Sequence, residues 1–289
     1  MRSRNAFRDI ATDARASVRE AIQGLVPRVT GLLRSLARPD APAVGSWNAI
    51  ETAVHLSHVW DVDHKIIAGQ GDDLLREAGL REAGEFTIRR VSEVTQEWVN
   101  DDEERDPLVL AHRFDLLGAE LANALRRGSD DDDVTWLGGA EIPASGVAWH
   151  CVEETLVHGW DIAHSQHLSW EIPTGYASAV LYRFVVPLLQ AVPSTFVSRR
   201  ATAGVRGTVA IRLRGQSDSV YLTIDDGELQ IETIAPSRVD AHVSADPEAY
   251  LLLQMGRLSP LRAALRGRIA VWGRRPWYAQ RIRSLVRNP

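Results

Sequence analysis

The sequence predicts an α+β protein, with an antiparallel bundle of four or five helices over residues 1–195 and a small α+β domain over residues 204–289. Two observations support this fold class. Up to about residue 190, apolar residues recur at three- and four-residue steps, which is the period of a helix face. From about residue 204, apolar and polar residues alternate, which is the period of a half-buried strand. The change of period places the domain boundary near Pro193 to Gly204.

Composition and charge narrow the class of protein. The 289 residues are 45% hydrophobic and 25% charged, as in ordinary globular proteins. A net charge of -5 leaves no basic excess for binding nucleic acid. No apolar run is long enough to cross a membrane, and the N-terminus has no export signal, so we expect a cytoplasmic protein. The single cysteine, Cys151, excludes an internal disulfide.

Five helical segments are predicted in the first half, over residues 6–36, 47–68, 87–127, 144–167 and 175–190. Ser46 is the expected N-cap of the second helix, and Gly69 is the expected stop. The third segment is predicted to break at Asp106-Pro107, because proline cannot continue a helix. The acidic run from Asp130 to Asp133 is predicted to be a solvated loop.

The second half predicts strands over residues 205–213, 220–224, 229–231, 239–243 and 268–272. Asp226-Gly227 is a hairpin signal, since glycine tolerates positive φ. Asp246, Pro247 and Glu248 give a cap, an N1 proline and a first-turn acid, and they predict a helix that stops at Gly256. A terminal helix is predicted from Pro276.

The fourth helix carries a polar stripe on a largely apolar surface. At roughly 100° per residue, one side of this helix holds His150, Cys151, Glu154, His158 and Asp161. Buried carboxylates and imidazoles are costly unless they are paired or coordinated. Glu154 and His158, four residues apart, project within reach of one ion. The stripe therefore predicts a metal or proton-transfer site inside the bundle.

The second helix offers a third ligand. His55 lies on the same helix face as the apolar residues Val59, Val62 and Ile66, so it points into the core. Two histidines and one carboxylate leave coordination positions open, as in catalytic zinc sites. The alternatives are a hydrogen-bonded core histidine and a surface Glu/His pair. Cys151 fits a small buried side chain better than a nucleophile, and Asp161 fits a hydrogen-bond partner of a ligand or a packing contact.

The motif Trp47-x7-His55, with the run from Glu154 to Asp161 about a hundred residues later, resembles the mycothiol-dependent maleylpyruvate isomerase family. That family belongs to the DinB-like metal-binding four-helix bundles. The strands of residues 205–243 and the helix end at Leu253–Arg257 are similar to its C-terminal domain, which resembles sterol carrier proteins. The resemblance implies His55, Glu154 and His158 as ligands of a divalent ion, usually zinc, and mycothiol as cosubstrate.

The chemistry implied by this resemblance is that of a mycothiol-dependent transferase or isomerase. A bound cation stabilises the thiolate, which then attacks an electrophilic small molecule. S-transfer is placed ahead of cis–trans isomerisation, because the motifs specify the thiol and leave the electrophile open. A small thiol and an electrophilic small molecule are the expected partners.

Asp161 and Arg257 are the predicted catalytic residues. Arg257 is expected to hold a substrate carboxylate, and its alternative role is a contact with the helix dipole. Two other functions stay open. One is a metal-dependent hydrolase in which Glu154 or Asp161 assists a bound water. The other is a non-enzymatic module whose C-terminal domain binds an apolar ligand.

Overall fold

The computed structural model describes residues 14–82, 87–129, 132–197 and 202–286. The chain divides into two compact units, one reaching to Ile172 and the other beginning at Pro173. The first is a helical bundle, and the second is a five-stranded sheet with helices. The predicted α+β class is therefore confirmed. In the described part of the chain, no helix combines the length and the apolar character needed to cross a bilayer.

The described helices of the first unit are α1 (Ala14–Arg34), α2 (Ala49–Ile67), α3 (Asp72–Glu77), α4 (Ile88–Asp101), α5 (Pro107–Arg127) and α6 (Ala144–Ser165). Helices α1 and α2 each pack against both α5 and α6, which makes a four-helix bundle. Trp60 of α2 and Phe114 of α5 are fully buried and meet edge to face, with ring centroids 5.9 Å apart. Part of the predicted first helix, residues 6–13, lies outside the described residues.

The N-cap of helix α2 lies two residues after Ser46, the predicted N-cap. Trp47 and Asn48 form a short strand, β2 (Trp47–Asn48), that pairs with β1 (Pro42–Val44). Asn48 is the N-cap, and its side chain accepts a hydrogen bond of 2.9 Å from the Glu51 amide. The Glu51 carboxylate accepts one of 2.9 Å from the Asn48 amide, which completes a capping box. The N-cap prediction was wrong because this reciprocal pair satisfies two amides, which Ser46 cannot do.

A β-hairpin precedes α6 and overlaps the predicted acidic loop only at Asp133. Strand β3 (Asp133–Trp136) pairs antiparallel with β4 (Ala140–Pro143). Asp133 thus belongs to a strand, whereas Asp130 and Asp131 lie outside the described residues. The hairpin matters for the site because it brings the fully buried Trp136 against α2.

The second unit begins with α7 (Thr174–Val180), a π-helical turn (Leu181–Val185), α8 (Val186–Ala191) and α9 (Pro193–Phe196). Its strands are β5 (Arg206–Leu213), β6 (Val220–Asp225), β7 (Glu228–Glu232), β8 (Ala241–Ala245) and β9 (Ile269–Trp272). They lie in the order β7-β6-β5-β8-β9, in which β5 and β8 are parallel and the other pairs are antiparallel. The later helices are α10 (Pro247–Gln254), α11 (Pro260–Leu265) and α12 (Trp277–Leu285).

Two glycines lie at turns that the sequence predicts, one in a hairpin and one at a helix end. Asp226 and Gly227, with φ of 48° and 98°, connect β6 to β7. Two successive positive φ angles are typical of a type I′ hairpin turn. Helix α10 ends at Gly256, with φ of 71°, and the Arg257 amide donates to the Leu252 carbonyl at 2.8 Å. This is the Schellman arrangement that closes a helix C-terminus.

The helices of residues 174–196 pack with the sheet of the second unit. Gln190 donates to the Ile231 carbonyl at 2.9 Å, and Tyr182 donates to the Asp218 carbonyl at 2.9 Å. Helix α7 also packs on α10. The compact units therefore divide earlier in the chain than the boundary expected between residues 195 and 204, and that domain boundary stays a prediction.

Candidate metal centre

Three side chains from α2 and α6 converge inside the bundle. His55, Glu154 and His158 each offer a ligand atom, and these atoms lie within 4.8 Å of one another. Glu154 Oε2 lies 3.2 Å from His55 Nε2 and 3.3 Å from His158 Nε2. The His55 and His158 rings meet edge to face, with centroids 5.0 Å apart. The three residues therefore meet at one point, as their predicted inward positions on the two helices indicate.

The donor atoms of this cluster suit a divalent metal ion such as zinc. Tetrahedral ligands about 2.0–2.1 Å from zinc lie roughly 3.3 Å from one another. The two contacts of Glu154 Oε2, at 3.2 and 3.3 Å, match that spacing. Imidazole nitrogen and carboxylate oxygen are also donors that zinc accepts. The residues fit a divalent ion, and their role as ligands stays a prediction.

Burial and charge shift the pKa values of the cluster. Burial lowers the pKa of His55 and outweighs its hydrogen bond with Glu154. For Glu154, burial acts upward, but hydrogen bonds from His150, His158 and His55 hold its pKa well below the usual range. For His158, burial acts downward, but Asp161 and Glu154 raise its pKa to about 9. Glu154 is therefore anionic at neutral pH and His158 carries a proton, which a cation has to displace when it binds.

The two histidines are oriented in different ways. Asp161, a buried residue of α6, lies 3.0 Å from His158 Nδ1, so Nε2 is the nitrogen directed to the cluster. His55 Nδ1 is buried and has no hydrogen-bond partner among the described residues. The Trp47 ring packs against His55 instead, with centroids 4.7 Å apart, and its indole N–H donates to Gln96 at 2.9 Å.

A second polar group adjoins the cluster and was not predicted from the sequence. Asp63 of α2 is 2% exposed, and its carboxylate accepts hydrogen bonds from Trp136 Nε1 at 3.0 Å and from the Cys151 thiol at 3.3 Å. His150 Nδ1 lies 2.6 Å from the same carboxylate. An acidic residue between the apolar positions Val62 and Ile66 is the sequence signal that points to Asp63.

Two further polar residues belong to other parts of the fold. His58 is 3.0 Å from Asp102, and its ring stacks on Trp98, so it belongs to a separate contact between α2 and the end of α4. Arg257 belongs to the second unit, where its guanidinium donates to the Met255 carbonyl. Its predicted role with a substrate carboxylate stays a prediction.

Comparisons with known proteins agree with the two-part organisation. The model of the mycothiol maleylpyruvate isomerase N-terminal domain matches residues 65–163, a range that contains Glu154 and His158 and starts after His55. The model described as the MDMPI C-terminal domain matches residues 184–280. The comparison with curated proteins gave no match.

Solved structures with a similar fold are distant. The crystal structure of the mycothiol-dependent maleylpyruvate isomerase is 15% identical, with a TM-score of 0.48 over 88% of this chain and 92% of that one. The sec-alkylsulfatase Pisa1 from Pseudomonas sp. is 11% identical, with a TM-score of 0.34 over 50% of this chain and 24% of that one. The ubiquinone synthesis protein UbiJ-SCP2 is 17% identical, with a TM-score of 0.29 over 35% and 91%.

Because these TM-scores are below 0.5, the family assignment rests on the two domain models, which together match most of the chain in consecutive order. They confirm both the resemblance and the expectation of an enzyme. The chain belongs to the mycothiol-dependent maleylpyruvate isomerase family.

Proposed function

We propose that this chain is a metal-dependent enzyme that uses mycothiol to isomerise a small unsaturated acid. The observation that carries the proposal is the convergence of His55, Glu154 and His158 within 4.8 Å. Three protein ligands are the number found in catalytic zinc sites, which keep one position for substrate. Family membership supports mycothiol as the cosubstrate. It also favours isomerisation over S-transfer, which was the first expectation from the sequence.

His55, Glu154 and His158 would hold the divalent ion. That ion, when bound, supplies the positive charge that keeps a neighbouring thiol deprotonated near neutral pH. Asp161 accepts the Nδ1 hydrogen of His158 and so keeps Nε2 directed to the cluster, where loss of the Nε2 proton would supply the lone pair for the ion. Trp47 covers one face of His55 and limits the rotation of that ring.

The reacting sulfur comes from outside the protein. Cys151, the one cysteine of the chain, is completely buried and donates to Asp63 at 3.3 Å. Burial and the charge of Asp63 raise the pKa of this thiol well above its usual range. A buried, protonated thiol is a poor nucleophile. These properties support a soluble thiol cosubstrate.

The isomerisation consumes no reagent, because the thiolate that adds to the substrate is released again. The thiolate forms a carbon–sulfur bond at one carbon of a double bond conjugated to a carbonyl, and the electron pair moves to the carbonyl oxygen. The former double bond is then single and rotates. The carbon–sulfur bond breaks, the electron pair returns, and the thiolate is released unchanged. Arg257, as a proposed partner of the substrate carboxylate, would orient the acid.

The test follows both the product and the thiol. Zinc-loaded protein is incubated with maleylpyruvate, with and without mycothiol, and the isomer is quantified by chromatography while free thiol is titrated. We expect thiol-dependent isomerisation with no net loss of thiol. Loss of one thiol per product would identify S-transfer, and thiol-independent loss of maleylpyruvate to cleavage products would favour the hydrolase.

A spectroscopic measurement tests thiol binding without requiring the substrate. Cobalt-substituted protein is titrated with mycothiol, glutathione and cysteine. We expect a thiolate-to-cobalt absorption band with mycothiol. A protein that binds no metal would overturn the proposal and favour the binding module. Metal binding with no spectral change for any of the three thiols would also overturn it and would favour the hydrolase or the binding module.

A further inference from the structure

Asp63 collects three hydrogen-bonding groups in the interior of the bundle. The Trp136 indole and the Cys151 thiol donate to it at 3.0 and 3.3 Å, and His150 Nδ1 lies 2.6 Å from Oδ2. The carboxylate is 2% exposed and therefore has almost no contact with solvent. A buried carboxylate is expensive unless such partners satisfy it. Trp136 and Cys151 satisfy the carboxylate within the core. His150 lies between Asp63 and Glu154 and so connects Asp63 with the candidate metal centre.

His150 connects Asp63 with Glu154. Its Nδ1 faces Asp63, and its Nε2 lies 3.6 Å from Glu154 Oε1, which is an ion-pair distance. The other oxygen of the same carboxylate, Oε2, is the atom that faces His55 and His158. His150 therefore contacts the Glu154 carboxylate on the side away from the two histidines.

We propose that Asp63 is a positioning residue for the metal centre, which acts through His150 on the Glu154 carboxylate. This inference rests on the metal site of the proposed function. Asp63 holds the His150 ring by its Nδ1, and the ring keeps Oε1 on its own side, so that Oε2 is presented to the ion. Groups behind a ligand fix its orientation and raise its affinity for metal, which is the effect expected here.

The zinc affinity of the intact protein tests whether Asp63 acts through His150 on Glu154. Wild type, Asp63→Asn and His150→Gln are titrated with zinc against a chromophoric chelator. The asparagine carbonyl still accepts from Trp136, but its amide cannot accept the His150 Nδ1 hydrogen. We expect each variant to bind zinc about 10- to 100-fold more weakly. The double variant is expected to be no weaker than His150→Gln alone, because residues in series are not additive.

Trp136→Phe is the matched control for a purely structural role of Asp63. It removes a hydrogen bond to the same carboxylate and keeps an aromatic ring beside His150, whose ring centroid lies 4.9 Å from that of Trp136. We expect a lower melting temperature with wild-type zinc affinity. The ligand-field spectrum of cobalt-substituted Asp63→Asn is expected to differ from wild type, whereas that of Trp136→Phe is not. If Asp63→Asn does not fold, His150→Gln at the less buried position tests the same link.

The outcomes separate this inference from the proposed function. Wild-type protein that binds no metal overturns both. If the wild type binds zinc, and Asp63→Asn or His150→Gln has unchanged zinc affinity and an unchanged cobalt spectrum, the positioning role of Asp63 is overturned. The proposed metal site is not affected by that result. Equal weakening by Trp136→Phe and Asp63→Asn also overturns the positioning role, because general loosening of the core would then explain the effect.

Discussion

The two ring nitrogens of His158 have separate partners. Nδ1 lies 3.0 Å from Asp161 and Nε2 lies 3.3 Å from Glu154, all on α6. A histidine fixed by a carboxylate on one nitrogen presents the other as a defined donor. Contacts at three- and four-residue spacing depend only on helix geometry. For this reason His158 is the residue whose removal tests the site most directly.

We predict that His158→Ala abolishes zinc retention and thiol-dependent activity while the protein stays folded. The variant removes one of three proposed ligands, and it also removes the buried partner of Asp161 and Glu154, so we expect a lower stability but a bundle that still folds through its apolar core. Zinc content by elemental analysis and far-UV circular dichroism measure the two effects.

His164→Ala is the matched control on the same helix. His164 is exposed and stacks on Trp160, with ring centroids 3.7 Å apart, and it takes no part in the cluster. We expect it to retain zinc at the wild-type level. Equal zinc contents in the two variants would contradict the assignment of His158.

At the residue scale, helix periodicity predicts directions but not partners across helices. It places His55, Glu154, His158 and Asp161 on inward faces, because the angle between residues of one helix is fixed. It does not predict that His150 meets Asp63, 87 residues earlier. That contact depends on how α2 and α6 are rotated against each other, which is set by the packing of all four bundle helices.

At the scale of elements, Asp102 joins the corner between α4 and α5 to α2. Its carboxylate accepts a hydrogen bond from Arg113 at 2.5 Å and from the Glu104 amide at 3.0 Å, and it lies 3.0 Å from His58 Nε2. Burial acts to raise the pKa of Asp102, but these contacts, with Arg113 as the main one, lower it to about 2.

We predict that Asp102→Asn destabilises the protein by about 1 to 2 kcal/mol at pH 7. The folded pKa is below the unfolded value of 3.8, so this stability is present above pH 3.8 and is lost as the pH falls through about 2. The difference in free energy of unfolding between wild type and variant should therefore shrink in acid. Urea unfolding at pH 7, 5 and 3 measures it.

Asp115→Asn is the control for a general charge effect. Asp115 pairs with Arg34 on the surface at 2.6 Å, and exposed pairs contribute little to stability. We expect a much smaller change at every pH. A loss in Asp102→Asn that does not depend on pH would contradict the role of the ionised carboxylate.

Element boundaries were predictable where one residue type decides them. Proline starts α5 at Pro107, and glycine ends α2 and α10 at Gly69 and Gly256, as the sequence indicates. The start of α2 was not predictable in this way, because Ser46 and Asn48 are both good N-cap residues. Which of them caps the helix depends on the capping box with Glu51. The β3–β4 hairpin was missed because its acidic beginning resembles a loop in composition, and its pairing involves the following segment.

At the scale of the whole molecule, the second unit needs its leading helices. Helices α8 and α9 pack on β7, and Gln190 donates to the Ile231 carbonyl in that strand. Without these helices, apolar residues of the sheet lose their cover.

We predict that residues 173–289 form a folded fragment, whereas residues 204–289 do not unfold cooperatively. The longer fragment keeps the apolar contacts between the helices and the sheet, and burial of such surface is the main source of stability. Thermal unfolding by circular dichroism and binding of a hydrophobic dye compare the two fragments. Cooperative unfolding of the shorter fragment without dye binding would contradict this prediction and favour the later domain boundary.

The candidate metal centre joins residues that are far apart in the chain, since His55 and Glu154 are separated by 99 residues. At about 5–20 residues per second of synthesis, α6 leaves the ribosome roughly 5–20 s after α2. During that interval the apolar stripe of α2 lacks the helix that covers it. A nascent chain halted before α6 holds one of the three proposed ligands, His55, and an uncovered apolar surface, so this is the interval in which we expect the protein to depend most on chaperones.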